Sequence, residues 1–455
     1  MGRLAISGTL AVVALAPLPF GSNRPGPWSA LALAVGLLLI LWAAAALRQP
    51  EQWSLAWRSH WPATAAFLAL LSWLYLQSVP WTPESWHNPA WTTASAALGK
   101  PLAGAVSIDP GETRTALMRL TTYGAVLWLG MNLFHTHALQ RIALWCVALA
   151  GSAYALYGIG NELAGSSSIL WYAKWAYLDS LTGTFVNRNS YAAYAGIALI
   201  ATLALLKRQL RDVGGDPSAS PADVLDRAVR RGGALAMLAI VLGASVLLSR
   251  SRGGLLATGA GIAAMLLIGV IEGRSQGASR RFEIGAVVAL VALLAIGGSG
   301  TFDRISGLGD DATVQRSAIY ERTLAGIAEH PWAGTGYGTF ETAFAGLSDA
   351  RFVTALRIDK AHNSYLEFAL EAGLPALALL LGVLAWFCGR CVAALIGRRH
   401  GVAAIETALA SSVLLAVHSM VDFSVQIPAI AVTYALLLGA GFRQALTPLS
   451  RAGAV

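Results

Sequence analysis

The run Ala361-His362-Asn363-Ser364-Tyr365-Leu366-Glu367 sets one imidazole among an amide and two hydroxyls, directly before a long apolar stretch. A ring at the start of a helix is disfavoured as imidazolium and can accept a proton near neutral pH, as a general base must. Asp359 or Asn363 would cap that helix. Glu367 and Glu371 stack four residues apart on another face and read as structural or orienting groups. Type and spacing alone leave His362 as either a base or a structural histidine. Arginine adds a second chemistry, because its planar fork stays charged and matches phosphate oxygens in pairs. Arg188, within Asn187-Arg188-Asn189-Ser190, opens an apolar run where free N–H groups favour an anion. Asn189 or Ser190 can cap that run, but a cap does not call for the arginine. Ser249-Arg250-Ser251-Arg252-Gly253-Gly254 places two guanidinium groups in a short turn between apolar runs, satisfied either by lipid headgroups or by a fixed anion site inside the protein. Arg316 and Arg322, six apart, lie on a helix-like run over 313–330.

These groups must be carried by membrane helices. Of 455 residues, 56% are hydrophobic and 12% charged, with mean hydropathy +0.59, where soluble domains have about a quarter charged. About twelve stretches reach the roughly 20 apolar residues of a membrane span: 4–20, 28–47, 62–79, 115–133, 142–161, 190–206, 233–249, 253–271, 283–300, 374–396, 402–420 and 428–442. Lipid leaves no partner for open backbone groups, so the expected fold is all-α, a polytopic membrane helical bundle with a helical outer loop domain. Residues 1–300 carry the first nine spans, 301–373 the outer loop with His362, and 374–455 the last three spans and a tail. Ala14-Leu15-Ala16 resembles a cleavage site, but Pro17 and the prompt second span favour a retained helix.

Lys and Arg concentrate in alternate loops, at Arg48, Arg58, Arg141, Lys207, Arg208, Arg211, Arg227, Arg230, Arg231, Arg274, Arg280, Arg281, Arg398, Arg399 and Arg443. This bias puts both termini in the cytoplasm and 301–373 outside, in a bacterium the periplasm. The net charge of +8 is scattered over these loops. It forms no continuous stripe, so the partners are membrane lipids and not nucleic acid. The segment 211–231 reads as a cytoplasmic linker, flexible over Gly214 to Pro221, with a short surface helix expected over 222–231. Cys146, Cys388 and Cys391 read as small packing residues, and His135 and His137 as surface histidines. Gly334-Thr335-Gly336-Tyr337-Gly338 reads as a tight reversal, because no strand–turn–helix surrounds it as around a phosphate cradle. Trp81, Trp86, Trp91, Trp171 and Trp175 suit interfacial anchoring, with sugar stacking as the alternative.

Four motifs together resemble the O-antigen ligase and polymerase superfamily of bacterial membrane glycosyltransferases, most closely the ligases. They are Thr184-Phe185-Val186-Asn187-Arg188-Asn189, Ser251-Arg252-Gly253-Gly254, Arg316 ahead of Pro331-Trp332-Ala333-Gly334-Thr335-Gly336, and His362 to Glu367 followed by Glu371-Ala372-Gly373-Leu374. The likeness is detailed over residues 181–382; the flanking helices match only in number and length. The resemblance implies glycosyl transfer from an undecaprenyl-diphosphate-linked O-antigen to lipid A–core oligosaccharide, at the periplasmic face of the inner membrane. Arg188, Arg250, Arg252 and Arg316 would then hold the diphosphate, with Asn187, Asn189, Asn363 and Tyr365 lining the substrate site. His362 would deprotonate or position the acceptor hydroxyl. Fixed guanidinium groups would stand in for a divalent metal; Asp310-Asp311 is the nearest acidic pair outside and reads as a loop turn. The resemblance thus implies no cofactor. An O-antigen polymerase and a protein O-oligosaccharyltransferase share these features and differ in acceptor. A transporter would carry ionisable groups near the membrane midplane, whereas Arg119, Arg390 and Glu406 lie toward span ends.

Overall fold

The computed structural model describes residues 1–55, 57–210, 221–271, 311–348, 352, 358–396 and 402–447. Among them are sixteen α-helices and one hairpin of two short strands. In chain order the helices are α1 Gly2–Leu15, α2 Pro25–Arg48, α3 Pro50–Trp53, α4 Trp61–Gln77, α5 Ala90–Leu98, α6 Pro110–Leu133, α7 His137–Leu163 and α8 Arg188–Leu210. They continue as α9 Pro221–Leu248, α10 Arg252–Ile271, α11 Asp311–Glu329, α12 Phe340–Leu347, α13 Ser364–Ala372, α14 Leu374–Leu395, α15 Ala403–His418 and α16 Pro428–Leu446. The hairpin pairs β1 Ser168–Ile169 with β2 Tyr172–Ala173. Proline in the first turn opens α2, α4, α6, α14 and α16, where its missing N–H removes no helical bond. Asp109 caps α6 and Thr136 caps α7.

Among the described residues, seven helices are long and apolar enough to cross a membrane: Pro25–Arg48, His137–Leu163, Arg188–Leu210, Asp226–Leu248, Arg252–Val270, Leu374–Leu395 and Pro428–Leu446. The helices α1, α4, α6 and α15 stand where four further spans are expected. Three of these are short, at 14, 17 and 16 residues for α1, α4 and α15. The fourth, α6, carries Glu112, Arg114 and Arg119 in its first half. The chain leaves α1 at Leu15, before Pro17 and short of the expected residue 20. The expected helix over 222–231 is not separate, because α9 runs unbroken from Pro221 to Leu248. The ninth span at 283–300, residues 211–220 of the expected linker, and Arg274, Arg280, Arg281, Asp310, Arg398 and Arg399 lie outside the described residues.

The most buried spans are α8 and α16. Around α8 pack α7, α9, α10 and α15, while α16 packs on α6 and α15. On α2, Leu33, Leu37 and Ile40 are exposed, a face that suits lipid. Where α6 meets α16, a β-carbon on Gly439 would stand 2.5 Å from the Leu127 carbonyl oxygen and 3.0 Å from Gly130 Cα. Only such small residues let two backbones approach so closely. Cys391 is buried in the core, and the Cys388 thiol donates to Ser412 Oγ at 3.4 Å, as packing residues would. His135 is half-buried rather than on the surface, edge-on to Trp53 at 5.3 Å, and His137 meets the Gln444 amide at 3.2 Å.

The outer elements α11, α12 and α13 share a small core of Ile319, Ile327, Phe340, Phe344 and Leu370. That cap is fixed to α4 and α14 through Leu70, Leu74, Phe368, Ala372 and Ala376. The glycine-rich turn clamps it backbone to backbone: the N–H of Thr335 donates to Leu370 at 2.9 Å and that of Gly336 to Glu371 at 2.8 Å. Gly334 has φ +68°, and a β-carbon there would stand 2.3 Å from the Glu371 carbonyl oxygen. Gln77, at the end of α4, donates to the Ala333 and Glu371 carbonyls at 2.6 and 3.1 Å and accepts from the Tyr337 N–H at 3.1 Å. The turn is therefore the tight reversal the sequence suggests.

Candidate active site

Asn363 caps α13, its Oδ1 accepting from the N–H groups of Tyr365 and Leu366 at 3.0 and 3.1 Å. Just before the cap, His362 takes φ +53°, a left-handed conformation that a β-carbon makes unfavourable. Contacts on both sides impose it. The Tyr320 hydroxyl donates to the His362 carbonyl at 2.9 Å. Lys360 Nζ donates to Glu367 Oε1 and Gln426 Oε1, both at 2.8 Å, and Glu367 Oε2 accepts from the Ala361 N–H at 3.0 Å. Downstream, the Ser364 N–H donates to the Ser419 carbonyl at 2.9 Å. Ser364 Oγ donates to the Asp422 carbonyl at 3.0 Å, Asn363 Nδ2 to Met420 at 3.1 Å and the Tyr365 hydroxyl to Ala416 at 2.8 Å. The histidine segment is thus docked on the end of α15 and the turn behind it.

That turn supplies Asp422. Its Oδ1 lies 3.4 Å from His362 Nδ1, and its side chain is 1% exposed against 26% for the imidazole. Burial opposes ionisation of Asp422, but the His362 hydrogen bond, the His418 ring and the Phe423 N–H at 2.8 Å outweigh it and hold the carboxyl below its usual range. A carboxylate only accepts, so His362 Nδ1 carries the hydrogen, and in the neutral ring Nε2 is the acceptor. The ring of Phe423 packs on the imidazole with centroids 5.4 Å apart. Asp422 Oδ2 and both ring nitrogens of His418 are buried without a hydrogen-bond partner. His418 lies at the start of α10, where a β-carbon on Gly253 would be 3.9 Å from its Nε2.

The arginine turns converge on the same end of the bundle. Asn187 Oδ1 accepts from the N–H groups of Asn189 and Ser190 at 2.7 and 3.3 Å, so Asn187, and not Asn189 or Ser190, caps α8. Asn189 reaches the other turn instead, accepting from Ser251 Oγ at 2.8 Å, while Ser251 caps α10 through the Gly254 N–H at 3.0 Å. One side-chain contact thus ties the start of α8 to the start of α10. The Arg188 guanidinium lies 5.3 Å from the Tyr177 ring centre and donates to Ser180 Oγ at 3.1 Å; its Nε is buried and unpartnered. Arg250 pairs with Asp179 at 3.4 Å, both side chains mostly exposed. Arg252 is exposed and, like Arg316, has no hydrogen bond or ion pair among the described residues.

Tyr177 links these groups. Burial and the Asp422 charge push its hydroxyl pKa up, Arg188 and Arg316 pull it down, and Asp359 adds a smaller upward push. Tyr320 is likewise raised by burial and lowered by Arg316. Arg188 from α8, Arg316 from α11 and Asp422 from the turn behind α15 therefore all lie within electrostatic reach of one phenol, and Asp422 in turn holds His362. Among the described residues no group of three or more His, Cys, Asp and Glu side chains is placed to hold a metal.

Residues 235–381 match the family model described as O-antigen ligase. Over those residues the chain is similar to the O-antigen ligase superfamily. No curated protein sequence matches it. The O-antigen ligase match starts inside α9, takes in α10 to α13 and ends in α14. It covers Arg250, Arg252, Arg316, His362, Asn363 and Tyr365. Asn187, Arg188, Asn189, His418 and Asp422 lie outside it and join the site through tertiary structure. That family implies, in general terms, glycosyltransferase-like activity with a polysaccharide-bearing lipid donor and a lipid acceptor.

Sequence reasoning missed Tyr177, Tyr320, Lys360, His418 and Asp422. A usable signal existed for one pair: His418 and Asp422 stand together in a short turn at the end of an apolar run, where ionisable groups need a reason. Nothing local marks Tyr177.

Proposed function

We propose that the chain transfers a preassembled O-polysaccharide from undecaprenyl diphosphate to lipid A–core oligosaccharide, at the periplasmic face of the bacterial inner membrane, with both termini in the cytoplasm. The observation that carries this reading is the meeting of Arg188, Arg316 and the Asp422–His362 pair around Tyr177. A diphosphate is a competent leaving group, so the site must chiefly stabilise its growing charge and align the acceptor. Arg188, with an unused buried Nε, and Arg316 face the developing anion. Arg252, unpaired among the described residues, can join them, whereas Arg250 pairs with the exposed Asp179. The acceptor oxygen attacks the anomeric carbon as the bond to the diphosphate oxygen breaks. Its proton passes to His362 Nε2, and Asp422 stabilises the imidazolium that forms. Asn187, Asn189, Asn363 and Tyr365 frame the site by fixing its helix starts.

The test is reconstitution of the full chain with purified lipid-linked glycan and two acceptors, lipid A–core and lipid-linked repeat units. Sugar on lipid A–core supports the ligase; elongation of the repeat units makes the chain a polymerase. Because fixed guanidinium groups supply the countercharge, transfer is expected to survive EDTA. Loss that magnesium or manganese restores would overturn that point.

A further inference from the structure

Arg119 is a charged group that neither the packing nor the proposed transfer uses. It lies in the first half of α6, with its guanidinium carbon 4.8 Å from the Trp28 ring centre on α2. Its Nε is buried without a partner, and none of its donors is engaged among the described residues. An arginine has five such donors, and a lone guanidinium on a membrane helix calls for an anion. The field of Arg119 reaches Tyr337 and Lys360. Lys360 lies 5.9 Å from the Phe423 ring centre, and that same ring packs on His362. Lys360 itself is committed to Glu367 and Gln426, whereas Arg119 has no such partner among the described residues. Tyr177, by contrast, feels Arg188 and Arg316 and not Arg119. Two separate cation groups therefore adjoin the segment that carries His362.

We propose that Arg119, backed by Trp28, is an anion subsite for a phosphate carried by the acceptor amphiphile, distinct from the donor-diphosphate site at Arg188 and Arg316. The inference rests on the proposed transfer and names where its second substrate is held. A guanidinium fork takes two phosphate oxygens at once, and an indole face orients the fork and excludes water. The helices α2 and α6 pack together, which holds the Trp28 indole against the Arg119 guanidinium.

Binding is read apart from transfer, using the purified full chain and native mass spectrometry. The probes are lipid A–core with its phosphates and the same glycolipid after phosphatase treatment. The wild-type chain is expected to bind the phosphorylated form about tenfold or more tighter, the scale of a charge-assisted hydrogen bond. Arg119→Gln should erase that preference and Arg119→Lys keep part of it, with no change for the dephosphorylated probe. Equal wild-type affinity for both probes overturns the subsite, and that comparison needs no variant to fold. Equal competition by phosphatidylglycerol also overturns it, since Arg119 would then hold any lipid headgroup. In the transfer assay Arg119→Gln should raise the acceptor KM and leave the donor KM alone. Intact phosphate preference without transfer by the wild-type chain would instead count against the proposed reaction alone.

Discussion

Two charged regions lie against the segment 359–367 and differ in how well their polar groups are matched. On one side, Lys360, Glu367, Gln426 and the Ala361 N–H close a set in which each group has a partner, and Glu371 accepts from the Phe340 N–H at 2.8 Å. On the other side, Asp422 Oδ2, both His418 nitrogens and Arg188 Nε are buried with nothing to bond, and Arg316 is unpaired among the described residues. Native proteins rarely leave buried polar groups unmatched, so a cluster of such groups marks a place kept for something else. The matched side builds the shape; the unmatched side is where a substrate fits.

That contrast can be broken by substitution. His362→Ala should remove the proton acceptor and cut transfer by a factor on the order of 10²–10⁴ while membrane insertion stays normal; near-wild-type transfer would return the histidine to a structural role. Arg188→Gln should raise the donor KM by about ten- to a hundredfold through loss of charge-assisted bonds. Its exposed neighbour provides the control, since Arg250→Gln breaks only a surface pair and should change transfer less than about threefold. If the two arginine variants behaved alike, burial would not separate their roles.

The matched side should answer in stability instead. Gly373 has φ +87°, and a β-carbon there would stand 2.2 Å from the Trp332 carbonyl oxygen. Gly373→Ala should therefore lower the unfolding temperature by several degrees, on the order of 1–3 kcal/mol, as followed by thermal unfolding in detergent. The smallest effect concerns pH. Burial, and then Glu367, raise the Glu371 pKa above the carboxylate range, against the pull of Lys360. Its folded value exceeds its unfolded one, so its contribution is complete below the unfolded pKa and is lost as pH rises through the folded value. Glu371→Gln should flatten that decline in melting temperature between pH 4.5 and about 8 and leave the pH dependence of transfer unchanged. A decline as steep as the wild type's would show that Glu371 is not its source.

Much of the bundle was readable in advance because a span is a local property. Hydropathy marks α2, α7, α8, α10, α14 and α16 within a few residues, and the Asn363 cap follows from side-chain type beside a helical run. Lengths were less secure where a proline or a polar first half shortened the apolar stretch, as in α1 and α6. The motif residues Arg188, Arg316 and His362 were legible singly, as groups too polar for their surroundings.

Their meeting was not. The His362–Asp422 pair spans sixty residues, the Asn189–Ser251 contact sixty-two and the Tyr320–His362 bond forty-two. Hydrophobic periodicity tells each helix which face to bury but not which neighbour will cover it, and backbone hydrogen bonds are satisfied within each helix whatever the order around the bundle. Side-chain fit between distant segments, such as the Gly130–Gly439 approach and the docking of Ser364 on the turn after α15, fixes that order. The chain's composition made it a membrane bundle with basic and histidine-bearing mouths; three-dimensional packing joined those mouths and brought in Asp422, His418 and Tyr177.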